Sequence, residues 1–535
     1  MKKLKKRKLL LKSKSQRNNL IKRNIIRKIK KSIEIEEELN FFIFIKFTFI
    51  IFLIIIFFYF YFYSNKPKTK TETKFFENNI KYSLYEKYKN IIQGNSTCEI
   101  LDPIRIFQSR LNNTPIEICN EENTKHICYT NKQGYYSDIL EHKNGTICIS
   151  ENIVIEPTKG KLSGLVYKGP VDRNNYGYPL LSKGFFNTKC TPNKINFEFN
   201  RFCKFYENAW DYDYDIEKEN LEELAPGKIV LLLSRSQDSP NLFHGNSEFI
   251  NVISMLYLFN LPPEEVRILF LESIEIPQDP FLDLYKNMIS RGGEPIHFRN
   301  LTKKYKISKA IHVPLSGDSP LLMYIDVPKC NSSTITYQLY NDLVDKYMDL
   351  KPFQDTFISD NVSIYYPDVV IKSHKNGIKF VKIVTIQWRK VWPEGRTGQS
   401  RILSNGPELA DKLSTIVPNN ILVRLINTAA LPYKDQISVM RSTDYLIGIH
   451  GAGLALSICL PKESIYHEIL HAKNIPVLSL MSSLSGHITY ADILKANSRN
   501  IDGNKNVFFD LNAFAESVLA HMRENNFFNL LYFIL

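Results

Sequence analysis

Apolar residues fall into two textures along the chain. Phe41 to Tyr63 is one unbroken stretch of Phe, Ile, Leu and Tyr interrupted only by Lys46 and Thr48. It is long enough to cross the hydrocarbon core of a bilayer, and Lys46 lies near one end, where its ammonium can snorkel to the interface. From Gly227 onward the pattern is different: short apolar runs alternate with longer stretches whose apolar residues recur at helical spacing. The short runs predict strands at Lys228–Leu233, Val266–Leu271 and Ala310–Val313, then at Phe380–Ile386, Ile421–Ile426, Tyr445–Ile449 and Ser464–Leu470. The spaced stretches predict helices over Ser247–Phe259, Pro280–Ile289 and Ile335–Met348, then Gly406–Ile416, Tyr433–Arg441 and Leu511–His521. Alternation of this kind predicts parallel sheets covered by helices. Pro352–Ser363 interrupts it as a linker, so the body reads as two consecutive α/β units, with the last helix packing back on the first.

One stretch organises the second unit. The strand Tyr445–Ile449 runs directly into His450-Gly451-Ala452-Gly453, and a short helix follows to Leu460, ahead of Pro461. Two glycines so close let the backbone turn sharply and let a ligand come near. The N–H groups and dipole of a helix start attract an anion, and His450 can donate to a phosphate oxygen. The alternative is a tight strand–helix connection with a buried histidine.

Charge changes the picture at the N-terminus. Residues 1–31 carry fifteen Lys and Arg and no acid, leaving 54 basic residues against 55 acidic ones in the remainder. The net charge of +14 therefore belongs to the tail and does not indicate a nucleic-acid partner. The positive-inside rule puts residues 1–40 in the cytosol, and Glu34, Glu36, Glu37 and Glu38 count little against it. No small-residue cleavage site follows the apolar stretch, which predicts an uncleaved signal anchor and a lumenal body. Six Asn-x-Ser/Thr sequons, at Asn95, Asn112, Asn144, Asn300, Asn331 and Asn361, all follow it, as expected of N-glycosylation sites. All eight cysteines follow it too, six of them between 98 and 203. This predicts a disulfide-bearing region of undetermined pairing; no Cys-x-x-Cys pair suggests a metal.

Further residues could carry chemistry. Arg389 ends a predicted strand and Arg401 closes a loop rich in Gly and Arg, ahead of Asn405 and Glu408; guanidinium groups suit a diphosphate. Glu468 on the last strand could accept from ribose hydroxyls, as the acid of dinucleotide folds does. His244, ahead of a helix in the first unit, is the candidate general base. Asp211-Tyr-Asp213-Tyr-Asp215 has the spacing by which metal-dependent sugar transferases hold a divalent ion, but it precedes the first clear strand and reads as a loop of solvated acids. No Gly-x-Ser-x-Gly elbow or P-loop supports a hydrolase or NTPase.

These residues together resemble glycosyltransferase family 61, which includes plant β-1,2-xylosyltransferase, the extracellular O-linked N-acetylglucosaminyltransferase and a protein O-mannose N-acetylglucosaminyltransferase. The similarity lies in Leu431-Pro-Tyr-Lys-Asp-Gln436, Arg441-Ser-Thr-Asp444, Gly448-Ile-His450-Gly-Ala-Gly-Leu454, Leu460-Pro461 and Glu468-Ile. Arg401-Ile-Leu-Ser-Asn405, Asn241-Leu-Phe-His244 and Cys203-Lys-Phe-Tyr-Glu-Asn208 are similar to further family segments. One departure is Ala455-Leu-Ser, where the family usually has Thr-Asn or Thr-His.

The resemblance implies a GT-B-like α/β fold of two Rossmann-like lobes with a cleft between them, behind the anchor and a Cys-rich stem. It implies an inverting, metal-independent transfer from a UDP-sugar, with xylose or N-acetylglucosamine foremost, to a hydroxyl of a glycan or glycoprotein. No cofactor is expected beyond the donor substrate. On this reading Arg389, Arg401, Asn405, His450, Gly451, Ala452, Gly453 and Glu468 bind the nucleotide sugar, and His244 is the base. The organisation expected is a tail at 1–40, an anchor at 41–63, a stem and Cys-rich region at 64–205, an acceptor lobe at 206–360, a nucleotide lobe at 361–505 and a C-terminal helix at 506–535. A single-pass type II Golgi membrane protein is expected, with the ER as the other address. The competing class is an inactive lumenal carbohydrate-binding protein on the same fold.

Overall fold

The computed structural model describes residues 83–89, 97–113, 116–121, 124–129, 146–162, 180–193, 208–216, 219–235, 241–273, 276, 279–314, 327–351, 364–365, 382–388, 401–403, 405–418, 420–470, 477–493, 500–501, 504–507 and 510–528. The tail, the span at 41–63, the linker, Cys203, Arg389 and the sequons Asn95, Asn144 and Asn361 lie outside them, and the Arg401 side chain is also outside. No helix among the described residues is long and apolar enough to cross a membrane.

The α/β expectation is met by two large sheets. The first is nine-stranded. Its main strands are β1 (Ile116–Glu121), β2 (Thr124–Tyr129), β3 (Ile147–Ile155), β4 (Ile229–Leu233), β5 (Val266–Phe270), β6 (Ile296–His297) and β7 (Tyr305–His312). They lie in the order β1-β2-β3-β7-β4-β5-β6. The β7-β4-β5-β6 part is parallel, whereas β1, β2 and β3 are antiparallel to their neighbours. Every residue of β4 is buried, and its sequence Ile-Val-Leu-Leu-Leu is the continuous apolar run of a strand covered on both faces.

This sheet corrects the division drawn at residue 205. The Cys-rich segment does not precede the first unit; β3 pairs with β7 over seven register positions, so the boundary would cut a sheet in two. The strand is partly exposed at Ile149, Glu151 and Asn152 and fully buried at its end, Ile153 to Ile155. The disulfides brace this addition: Cys128–Cys148 joins directly opposed positions of β2 and β3, and Cys119–Cys190 ties down β1. Cys98 pairs far outside the cluster, with Cys330. Cys459 is free and buried.

The second sheet has strands β8 (Ile364–Tyr365), β9 (Lys382–Gln387), β10 (Ile421–Ile426), β11 (Tyr445–Ile449), β12 (Ile465–Leu470) and β13 (Ile488–Ile493). Their order is β8-β10-β9-β11-β12-β13, all parallel except β8. The chain therefore leaves β9 for β10 on one side, then crosses back to β11 on the other. That reversal between β9 and β11 is the topological switch point, where ligands of open parallel sheets bind.

Helices fill the space between and outside the sheets. The helices α1 (Leu242–Leu258) and α2 (Ile335–Tyr347) share one apolar core with α4 (Tyr433–Arg441), α5 (Val477–Leu484) and the 3₁₀ helix Ala452–Cys459. The outer face of the second sheet is covered by α3 (Gly406–Ile416) and α6 (Leu511–Glu524), through Phe514, Ala515, Val518 and Met522. The last helix thus packs on the second sheet, not back on the first, because its apolar stripe matches the face that α3 leaves open. Polar contacts cross the shared core as well: Asn341 donates to the Ile458 carbonyl at 3.0 Å, and Thr334 N–H to the Leu484 carbonyl at 2.8 Å.

Candidate nucleotide-sugar site

The second sheet brings His450, Gly453, Gln387 and Thr428 to the C-terminal ends of adjacent strands. β11 stops at Ile449, and the His450 N–H still donates to the Ile469 carbonyl at 2.9 Å, which fixes its backbone against β12. Gly451 is extended, at φ 174°, and the 3₁₀ helix begins with Ala452. Its first bond is Leu454 N–H to the Gly451 carbonyl at 2.9 Å. No side chain caps this helix start, and the first N–H groups of a helix have no partner within it.

The turn does not depend on a left-handed glycine backbone. Neither Gly451 nor Gly453 takes a left-handed conformation. Gly453 suits a close approach: a Cβ there would stand 2.6 Å from Nε2 of Gln387. That amide donates to Thr428 Oγ1 at 2.7 Å. The end of β9 and the turn after β11 thus touch at the switch point, and a side chain at position 453 would push the Gln387 amide from its place. Gly448 is similarly crowded, since a Cβ there would meet Leu454 Cδ2 at 2.6 Å.

His450 is held from below. Its Nδ1 contacts Glu468 Oε1, and Oε2 of the same carboxylate accepts from Ser479 N–H at 3.1 Å and from the Ser479 hydroxyl. Glu468 is fully buried, whereas 14% of the His450 side chain remains exposed. The carboxylate expected to meet a ribose therefore faces His450 and the first turn of α5 in this structure. Ser479 was not singled out from the sequence. Its helix, Val-Leu-Ser-Leu-Met-Ser-Ser-Leu, is apolar but too short for a periodic signal.

Asn405 is buried at the N-cap position of α3. The following residue, Gly406, passes so close to Trp388, just past β9, that a Cβ would lie 3.2 Å from the indole. Arg401 begins a short strand, Arg401–Leu403, parallel to Asn504–Val507. Other residues of the resemblance are structural. Asp444 stands before β11 and accepts from Lys382 at 2.9 Å and from Ile383 N–H at 2.8 Å. Arg441 pairs with the largely exposed Asp345 of α2 at 2.9 Å, joining α4 to α2 at the surface. Ala455 and Ser457 are fully buried in or beside that core, so the departure there alters packing, not a surface offered to a ligand.

In the first sheet, His244 lies in the first turn of α1, after β4, and is partly exposed. Asn241 caps that helix by accepting from Phe243 N–H at 3.0 Å. Asn246, in the same N-terminal part of α1, accepts from Tyr433 OH at 3.3 Å, and Tyr433 is the first residue of α4. The helix starts that follow β4 and β10 are thereby joined across the two sheets.

The ends of β4, β5 and β6 also carry a buried charge cluster that sequence reasoning missed. Arg235 bonds to Glu272 and Asp279, all three nearly inaccessible, and stacks on Phe270 at 3.9 Å. His297 accepts from Arg299 N–H at Nδ1, and burial pushes its pKa down to about 4. These residues stand alone in polar company along the sequence, so no local pattern announced them.

Asp211 and Asp213 do not sit in a free loop. Trp210–Asp211 pairs with Phe186–Asn187 as a strand of the first sheet, and Asp213 bridges to Lys189. Among the described residues the one metal-like grouping is His126, Cys128 and Cys148, and its two sulfurs are joined as a disulfide, which leaves no thiolate to bind an ion.

Residues 297–466 match the family model described as Glycosyltransferase 61. They belong to glycosyltransferase family 61. The family 61 region runs from β6 to the second residue of β12, so it holds the switch point, Asn405 and the His450 turn, while His244, Glu468 and Ser479 fall outside it. Among curated proteins no match is found. At family level the activity is that of a glycosyltransferase.

Proposed function

We propose that this protein is a type II membrane glycosyltransferase that transfers a sugar, xylose or N-acetylglucosamine, from a UDP-sugar to a glycan or glycoprotein hydroxyl in the Golgi lumen. The observation that carries the reading is the family 61 turn, His450 to Gly453, at the switch point of a parallel sheet. On a GT-B-like arrangement the diphosphate lies against the start of the 3₁₀ helix. Nε2 of His450 and the first N–H groups face its oxygens, with Arg389 and Arg401 adding charge. The acceptor hydroxyl lies toward the first sheet, where His244 removes its proton as that oxygen attacks the anomeric carbon in line. Inversion follows from a single displacement, and the leaving UDP takes its negative charge onto the groups of the turn.

Incubating the full-length protein with each UDP-sugar, with chelator present, tests this reading. Hydrolysis or transfer with one donor is expected, at the same rate with and without chelator. The Asp211→Asn/Asp213→Asn double variant is expected to keep that rate. Activity that returns only with manganese would instead support a metal-dependent reading centred on Asp211 and Asp213. UDP binding without turnover would move the protein to the carbohydrate-binding class.

Topology has its own test. The lumenal body is expected to resist protease in intact microsomes and to carry glycans; Asn112, Asn300 and Asn331 are exposed. Digestion of the body without detergent would overturn the proposed orientation.

A further inference from the structure

We infer that Asn246, Tyr433, Tyr340 and Cys459 are positioning residues, a buried hydrogen-bond chain that fixes the helix start carrying His244 against the helix that opens the donor turn. This inference rests on the donor and acceptor reading above. Asn246 lies near the start of α1, two residues past His244. Tyr433 is the first residue of α4, Tyr340 lies in α2, and Cys459 ends the 3₁₀ helix that begins at Ala452. All four are buried, Asn246, Tyr340 and Cys459 completely. The helices α1 and α2 follow strands of the first sheet, whereas α4 and the 3₁₀ helix follow strands of the second. The chain thus passes from one sheet's helices to the other's at every link.

The links run in one direction. The Tyr433 hydroxyl donates to Asn246 Oδ1 at 3.3 Å and also bonds to the Tyr340 hydroxyl. The Cys459 thiol lies 3.9 Å from that Tyr340 hydroxyl. Burial holds both phenols well above their usual pKa and pushes the thiol up to about 11, so each group keeps its one hydrogen. Tyr433 has given its hydrogen to Asn246, so Tyr340 donates to Tyr433, and Cys459 to Tyr340. A buried hydroxyl is costly unless it is bonded, and removal of a middle member leaves the groups on both sides without their partner. Each end of the chain sets an orientation. Residues two apart stand about 200° round a helix, so Asn246 held in the core turns His244 outward, where it is partly exposed. The ring of Phe281 packs on Tyr433, with centroids 5.1 Å apart, and lies directly against Gly245, which leaves that turn little room to rotate. At the other end Cys459 is bonded to Tyr340, and the neighbouring Ile458 carbonyl to Asn341. Both bonds hold the far end of the helix whose start is the glycine turn.

The test compares the full-length wild type with Tyr433→Phe, Tyr340→Phe, the Tyr340→Phe/Tyr433→Phe double variant, Cys459→Ala and Cys459→Ser. On each, kcat with the UDP-sugar that the wild type accepts, the UDP dissociation constant and the denaturant midpoint are measured. In either tyrosine variant kcat is expected to fall about tenfold while UDP affinity holds, because the base and the donor lose their mutual alignment. The double variant is expected to fall no further than the lower single one, since one broken link already uncouples the chain. Cys459→Ala removes the weakest link and is expected to cost about threefold in kcat, and Cys459→Ser, which keeps a donor, to retain more activity. A merely structural role would lower the midpoint and leave kcat of the folded protein at the wild-type value. If the tyrosine variants do not fold, the two Cys459 variants decide. Unchanged kcat with UDP still bound, or a loss confined to UDP affinity, overturns the inference and leaves the donor reading standing. A wild type that turns over no UDP-sugar overturns both.

Discussion

His450→Ala is expected to lower turnover by about 10²–10³, the range for loss of one donor to a developing transition-state charge. UDP affinity should fall with it, because the diphosphate is part of both donor and product. Arg401→Ala is expected to act in the same direction. Arg401→Lys should not rescue it, since an ammonium cannot make the planar two-point contact of a guanidinium. His244→Ala separates the two halves of the site. A base touches the acceptor hydroxyl and no phosphate, so UDP should bind as to wild type while turnover drops by about 10²–10⁴. Calorimetry with UDP alongside initial rates measures both quantities on the same preparations. Unaltered UDP binding in the His450 and Arg401 variants would return the glycine turn to a tight connection in a sheet. Weakened UDP binding in His244→Ala would remove that histidine from the acceptor side.

The second sheet was more legible than the first, for physical reasons. Its central strands are buried on both faces, so Ile421–Ile426 and Tyr445–Ile449 read as apolar runs with the bounds the structure gives them. The helices Gly406–Ile416 and Tyr433–Arg441 are one-sided, and their periodicity marked both ends. In the first sheet, β1 and β2 carry Glu, Asn, Thr, Lys and His among their apolar residues. Their strands are set by two disulfides, by pairing with each other and by the pairing of β2 with β3, which no local pattern conveys. The helical stretch after Pro280 is a short α turn followed by a π turn, Tyr285–Ile289.

The site divides in the same way. His450 and the glycines sit in one contiguous motif, so the sequence pointed to them directly. Their reasons did not follow from the motif: Gly453 is small because of Gln387, which lies 66 positions earlier in the chain. Glu468 was visible, but its orientation depends on Ser479 in a helix the pattern did not announce. A residue's type is local information; the partner that fixes its direction is tertiary.

Stability is expected to fall steeply between pH 6.5 and 4, and the cause is buried neutral histidine. Burial lowers His297 and His487 to about 4, and His312 to about 3. His126 is lowered as well, by burial and then by His312 beside it. The hydrogen bonds agree with neutral rings. Arg299 N–H donates to His297 Nδ1 at 3.1 Å, which a proton there would break. The Ser150 hydroxyl lies between His126 Nδ1 at 2.8 Å and His312 Nε2 at 3.1 Å, where it can donate to one and accept from the other. An unfolded chain protonates these rings near their ordinary pKa of about 6.5, before the folded chain does. The unfolded state thus binds more protons, and stability rises with pH across the window. Each pKa unit is about 1.4 kcal/mol, so at pH 5 each of the three histidines would contribute a loss of about 2 kcal/mol, on the order of 6 kcal/mol together. That compares with a usual total of about 5–15 kcal/mol for a folded domain. Asp492, lowered chiefly by its bond to His467, adds to the loss at lower pH, and Asp102, raised by burial, opposes it. Denaturant unfolding between pH 4 and 8 measures the slope. His297→Gln, which removes one titrating group, is expected to flatten it by about one proton's share. A midpoint that stays level from pH 7 to 5 would mean that these rings are already charged in the folded protein, against the hydrogen bonds that hold them.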